Sequence, residues 1–100
     1  MTYYSVITVT PTTDTWIPAY LPAVKVLMDK HGGKYLARTA SHERLEGESA
    51  DVGLRIVIEW PSKAAAEAFM SDPEYASHLG ARTAGSDSHH FLIEGKDDFS

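Results

Sequence analysis

The chain has 100 residues, 43% of them hydrophobic, no cysteine and a formal net charge of −5 at neutral pH. That length and apolar content fit a single globular domain spanning residues 1–100. The lack of cysteine excludes a disulfide scaffold and thiolate chemistry, and the scattered basic residues offer no concentrated positive face for nucleic acid or an anionic membrane.

The opening MTYYSVITVT has no basic start followed by an apolar run, and no stretch approaches the ~18 apolar residues of a membrane span. A cytoplasmic address is expected. Tyr3 to Thr10 is rich in β-branched and aromatic residues and stops at Pro11, which predicts a first strand. Polar TPTTDT follows, with Asp14 the expected helix N-cap. From Ile17 the apolar residues recur at Tyr20, Leu21, Val24, Leu27 and Met28, the spacing of a helix with one buried stripe. Pro18 suits a first turn. Pro22 predicts either a helix start near Ala19 or a kink. Gly32 is expected just past the helix end.

Gly33 to Ser41 and His42 to Gly47 read as one long strand broken near Thr39 to His42, ahead of a polar hairpin loop from Gly47 to Gly53. Strict alternation places Tyr35, Ala37 and Thr39 on one face and Leu36, Arg38 and Ala40 on the other. LRIVIEW, Leu54 to Trp60, is the clearest strand, with Leu54, Ile56, Ile58 and Trp60 sharing a side. Ser62 caps a second helix with Ala65, Ala68 and Phe69 as its apolar stripe. Asp72-Pro73 restarts the helix, Asp72 as N-cap and Pro73 in the first position, and Tyr75, Ala76 and Leu79 continue a stripe towards Gly85. HHFLIE, His89 to Glu94, is the last strand.

This β-α-β-β-α-β order predicts an α+β, ferredoxin-like fold: a four-stranded antiparallel sheet with two helices on one face. The other face needs cover, and a second copy of the chain is the simplest cover, so a homodimer is expected.

Chemistry-bearing residues are few. His31 lies in a last helical turn, where an imidazole suits the helix dipole. It also continues the stripe of Leu27 and Met28, which would turn it inward as a base or ligand. Gly32-Gly33 stands between helix and strand, the reverse of a phosphate-binding loop. Arg38 pairs with a protein carboxylate or anchors an anionic ligand. Glu74, His78 and Arg82 recur every four residues and read as a solvated, ion-paired helix face. The histidines have no zinc spacing, so neither a metal nor a cofactor is expected. No nucleophile elbow occurs. Tyr20, Tyr35 and Tyr75 suit a pocket wall from which a phenol meets a ligand.

Several phrases together carry a resemblance: the Asp14 and Tyr20 region, HGGKYLAR (31–38), LEG (45–47), IEWPS (58–62), SDPEY (71–75), Arg82 and LIEG (92–95). In this order they resemble domain-of-unknown-function family 1330, in the dimeric α+β barrel superfamily. The resemblance implies a ferredoxin-like fold whose sheets pair into a homodimer. His31, Arg38, Tyr75 and Arg82 match its polar positions, whereas Phe69-Met70 departs from its aromatic pair.

Three readings of function follow. In the first, a homodimer binds or converts a small organic acid near Arg38 and Tyr75. Arg38, Arg82 and Tyr35 form the ligand site, and His31 or Tyr75 moves a proton. In the second, by superfamily analogy and resting on His78, Trp60 and the tyrosines, the protein is a cofactor-independent monooxygenase or a haem-linked enzyme. In the third it is a non-catalytic dimeric binding module.

Overall fold

A computed structural model of the protein describes residues 1–100. Its elements run β1 (Tyr3–Pro11), α1 (Ile17–Lys30), β2 (Lys34–Thr39), β3 (Leu54–Trp60), α2 (Lys63–Met70), α3 (Ala76–Ala84) and β4 (Ser86–Glu94). The strands form one antiparallel sheet in the order β2-β3-β1-β4. This is the expected ferredoxin-like arrangement, with the second helical segment divided into α2 and α3.

The two inner strands alternate as their sequences require. Ile7 and Val9 of β1 and Ile56, Ile58 and Trp60 of β3 are buried on one face. Val24, Leu27 and Met28 of α1 and Ala66 and Phe69 of α2 close over them in a single core. Burying each such large side chain stabilises the fold by about 1.5–3 kcal/mol. Ala66, not Ala68, accompanies Phe69 on the inner side of α2. No helix is long and apolar enough to cross a membrane.

Local signals set most element ends. Ser62 caps α2, its Oγ accepting from the Ala65 N–H at 3.1 Å. At the end of α1, Gly32 takes φ +78°. Its N–H donates to the Asp29 carbonyl at 3.3 Å, and the Gly33 N–H donates to that of Met28 at 2.9 Å. This is the two-bond Schellman arrangement that satisfies the last carbonyls of a helix. Asp14, in contrast, does not cap α1 with its side chain. Trp16 is the N-cap residue, and only the Asp14 backbone carbonyl accepts from Ile17, at 3.2 Å. The helix runs through Pro22 from Ile17.

Four further expectations are corrected. Residues 42–47 form no strand, because β3 offers no partner beyond Leu54 for a longer β2 to pair with. Helix α3 begins at Ala76 rather than Pro73. Asp72 first makes a turn of its own, accepting from the Glu74 N–H at 2.9 Å. Strand β4 begins at Ser86, three residues early, because Pro11, Thr10 and Val9 of β1 pair with Ser86, Asp87 and Ser88. Finally, β2 slips register between Tyr35 and Ala37. Tyr35 faces Ile58 and Arg38 faces Ile56 on the helix side, while Ala37 and Thr39 face Val57 and Arg55 on the open side. Strict alternation would have separated Tyr35 from Arg38; the bulge puts them together.

Candidate functional site

A cleft of about 100 Å³ lies between the helices and the covered face of the sheet. Its wall is mostly core residues of both layers, among them Val24, Met28, Ile56, Trp60 and Phe69. Six polar side chains reach it: Tyr20, Tyr35, Arg38, Tyr75, Arg82 and His90. Neither aspartate nor glutamate lines it. A protein of net charge −5 thus keeps a locally cationic interior.

Arg82 is the centre of that charge. Tyr75, Leu79 and Arg82 recur at the four- and three-residue spacing of one inner helical stripe. The arginine is 6% exposed, forms no ion pair, and its buried Nε has no hydrogen-bond partner. The expected solvated face Glu74–His78–Arg82 is therefore corrected: Glu74 is exposed and Arg82 is buried. Lying on one face at one end of a turn does not fix which neighbours point inward, and the Tyr75–Leu79 stripe decides it.

Arg38 approaches from the sheet edge. Its guanidinium lies over the Tyr35 ring, 4.1 Å from the centroid, a cation–π contact made possible by the bulge. Burial pushes the Tyr35 phenol up, an effect that the Arg38 charge opposes.

Tyr75 is 2% exposed and packs on Phe69 with ring centroids 4.4 Å apart. Its hydroxyl meets that of Tyr20 at 2.8 Å. Burial, reinforced by the Tyr75 hydroxyl, raises Tyr20 well above the ordinary phenol range, so it stays protonated.

At the β4 side stands a buried relay. The Trp60 Nε1–H donates to Ser5 Oγ at 2.8 Å, and Ser5 Oγ meets His90 Nε2 at 2.7 Å. Ser5 is fully buried. Burial first, and then the Arg82 charge, hold the His90 imidazole below its ordinary pKa. The sequence signal for both residues is parity: Ser5 shares a face with Ile7 and Val9, and His90 shares one with Leu92.

Of the residues singled out by sequence, Tyr35, Arg38, Tyr75 and Arg82 come together at the cleft. His31 does not reach it. The ring turns inward from α1, but its Nε2 meets Asp72 Oδ2 at 2.7 Å and its edge contacts Phe69. Lys30 joins the same carboxylate oxygen at 3.0 Å. These bonds hold Asp72 well below the usual carboxylate range, the His31 bond first among them. His78 stacks edge-on against Tyr20. No group of three or more His, Asp or Glu side chains is placed to hold a metal ion.

A family model described as "Domain of unknown function (DUF1330)" matches residues 2–96. The fold is similar to that of a protein of unknown function from Rhodopseudomonas palustris, with a TM-score of 0.81 and 19% identity over 96% of this chain and 83% of that one. A dimeric ferredoxin-like protein of unknown function from Jannaschia sp. matches with a TM-score of 0.64 and 13% identity, over 94% of this chain and 99% of that one. SnoaB, a cofactor-independent oxygenase from Streptomyces nogalater, matches with a TM-score of 0.58 and 18% identity, over 96% and 92%. Comparison with curated proteins finds no match.

Proposed function

The chain belongs to the DUF1330 family, and from the charge pattern of its cleft we propose that the protein binds a small, largely apolar organic acid between its sheet and helices. One observation carries the proposal: the buried Arg82 Nε has no hydrogen-bond partner, and no carboxylate of the protein pairs with the guanidinium. Leaving a charge in that state is costly, and a carboxylate relieves it with two parallel, charge-assisted hydrogen bonds. Arg38 adds a second cation, steadied on Tyr35. The apolar wall takes the rest of the ligand.

Proton movement, if the acid is converted, falls to Tyr75. The Tyr75 hydroxyl is paired with that of Tyr20 at 2.8 Å, and in the arrangement where Tyr20 donates, the Tyr75 proton is left for the ligand. His31, tied to Asp72 outside the cleft, has no part in that step.

Assembly as a homodimer accompanies this reading. Ala37, Val57, Val6 and Phe91 pair in one row across all four strands on the open face. Phe91 is 70% exposed in the single chain. The Jannaschia protein is described as dimeric, which supports a dimer for this fold.

Thermal melting with benzoate, phenylacetate and 3-phenylpropionate tests acid binding. At least one acid is expected to raise the melting temperature of the native protein, and none to raise that of Arg82→Met. Without ligand, Arg82→Met is expected to melt higher than the native protein, because it removes an unsatisfied buried group worth about 1 kcal/mol or more, or about 4–8 °C per kcal/mol at this size. Equal ligand shifts in both proteins, or none in either, would refute the proposal.

A second reading draws on the aromatic wall of Trp60, Phe69 and Tyr35 and the SnoaB-like fold: oxygenation of an aromatic substrate without a cofactor. Oxygen consumption on adding phenolic substrates is its test. Acid binding with no turnover and no oxygen uptake leaves a binding module.

A further inference from the structure

Beside the cations, the cleft contains one imidazole whose hydrogen bonding can be worked out atom by atom. Trp60 Nε1 can only donate, so it occupies a lone pair of Ser5 Oγ. The hydroxyl keeps one proton and one further lone pair, and its second partner is His90 Nε2. Were Nε2 to carry a proton, it would donate to Ser5, and the Ser5 proton would be left without an acceptor in a fully buried site. Every group is satisfied in the other arrangement: Trp60 donates to Ser5, and Ser5 donates to Nε2. The ring proton of a neutral His90 then sits on Nδ1, which has no partner in the protein.

We propose that His90 is a second recognition group of the cleft, a neutral imidazole whose Nδ1–H donates to an oxygen of the bound acid other than its carboxylate. Ser5 and Trp60 are positioning residues that fix this tautomer. The inference rests on the acid-binding reading and narrows it. The preferred ligand is a small apolar acid that carries a carbonyl as well as a carboxylate: Arg82 takes the charge and His90 the neutral acceptor. A protonated imidazole could not serve this way without turning its Nε2–H against Ser5. The low His90 pKa, due first to burial and then to Arg82, agrees with that geometry.

Two measurements test it. In the ligand-free native protein, ¹⁵N NMR of the His90 ring is expected to show the Nδ1–H tautomer. In Ser5→Ala that preference is expected to be lost. An Nε2–H tautomer in the native protein overturns the inference whatever binds. Calorimetric titration then compares phenylpyruvate with 3-phenylpropionate, and 3-benzoylpropionate with 4-phenylbutanoate, each pair differing by one carbonyl oxygen. One oxo acid is expected to bind about tenfold more tightly than its parent, the scale of a single well-made hydrogen bond. His90→Phe is expected to abolish that advantage, so that each oxo acid and its parent bind within about twofold of each other. Where His90→Phe fails to fold, Ser5→Ala serves in its place, with a reduced advantage expected. Parents that bind while the carbonyls bring nothing, or an advantage that survives in the variant, overturn the role of His90 alone. Failure of all four acids to bind the native protein overturns the acid-binding reading and this inference with it.

Discussion

Asp72 shows how one carboxylate can tie two segments together. It receives His31 and Lys30 from the end of α1 and the Glu74 N–H from the turn before α3. Because these contacts favour the ionised form, the folded protein holds the Asp72 carboxyl below its unfolded value. The resulting stability is present above the ordinary carboxylate pKa and is lost as the pH falls through the folded one. Melting temperature is therefore expected to drop between about pH 5 and about pH 2, and to drop less steeply in Asp72→Asn, measured by circular dichroism. The inward turn of His31 was legible in its spacing from Leu27 and Met28; its partner was not, because Asp72 lies 41 residues away in sequence. Arg82 is the opposite case. Its spacing from Tyr75 and Leu79 marked the inner stripe, yet a charged residue in a polar stretch reads first as solvated. Only the packing of Tyr75 reveals which side of α3 is covered.

At the scale of elements, HGGK is a joint between α1 and β2, and its two glycines serve different needs. Gly32 supplies the positive φ of the helix stop. Gly33 is needed for closeness: a Cβ there would stand 2.6 Å from the Trp60 ring. Gly33→Ala is expected to destabilise the fold by about 1–3 kcal/mol, through displacement of Trp60, as measured by urea unfolding. The variant is also expected to disturb the Trp60–Ser5 bond, visible as a shift of the indole N–H resonance. The elements best foretold were those whose own residues define them, such as LRIVIEW and the Ser62 cap. Those set by a partner were misjudged. Ser86–Ser88 extends β4 because β1 continues alongside it, and residues 42–47 fail to form a strand for want of a neighbour. The β2 bulge leaves no mark in KYLART either, although it decides which of its side chains enter the cleft.

For the molecule as a whole, the open sheet face matters most. Its Ala37–Val57–Val6–Phe91 row lies between more polar rows, one through Lys34, Glu59, Tyr4 and Ile93 and another through Thr39, Arg55, Thr8 and His89. A second copy that buries the apolar row removes Phe91 from water, worth about 1.5–3 kcal/mol per copy. Phe91→Glu is expected to shift the protein from dimer to monomer in light scattering, since it places two carboxylates within the shared face. The ferredoxin-like order, and the need for something to cover the sheet, were readable from the element pattern; the continuity of the apolar row depended on the register of three strand pairings. The sheet that carries this row is a partition one backbone thick. His90 looks into the cleft and Phe91, the next residue, looks out of it. Substituting either changes the strand that holds the other, so an assembly defect and a binding defect can share one cause. For variants of β4, the two properties have to be measured on the same sample, at protein concentrations on either side of the dimer's dissociation constant.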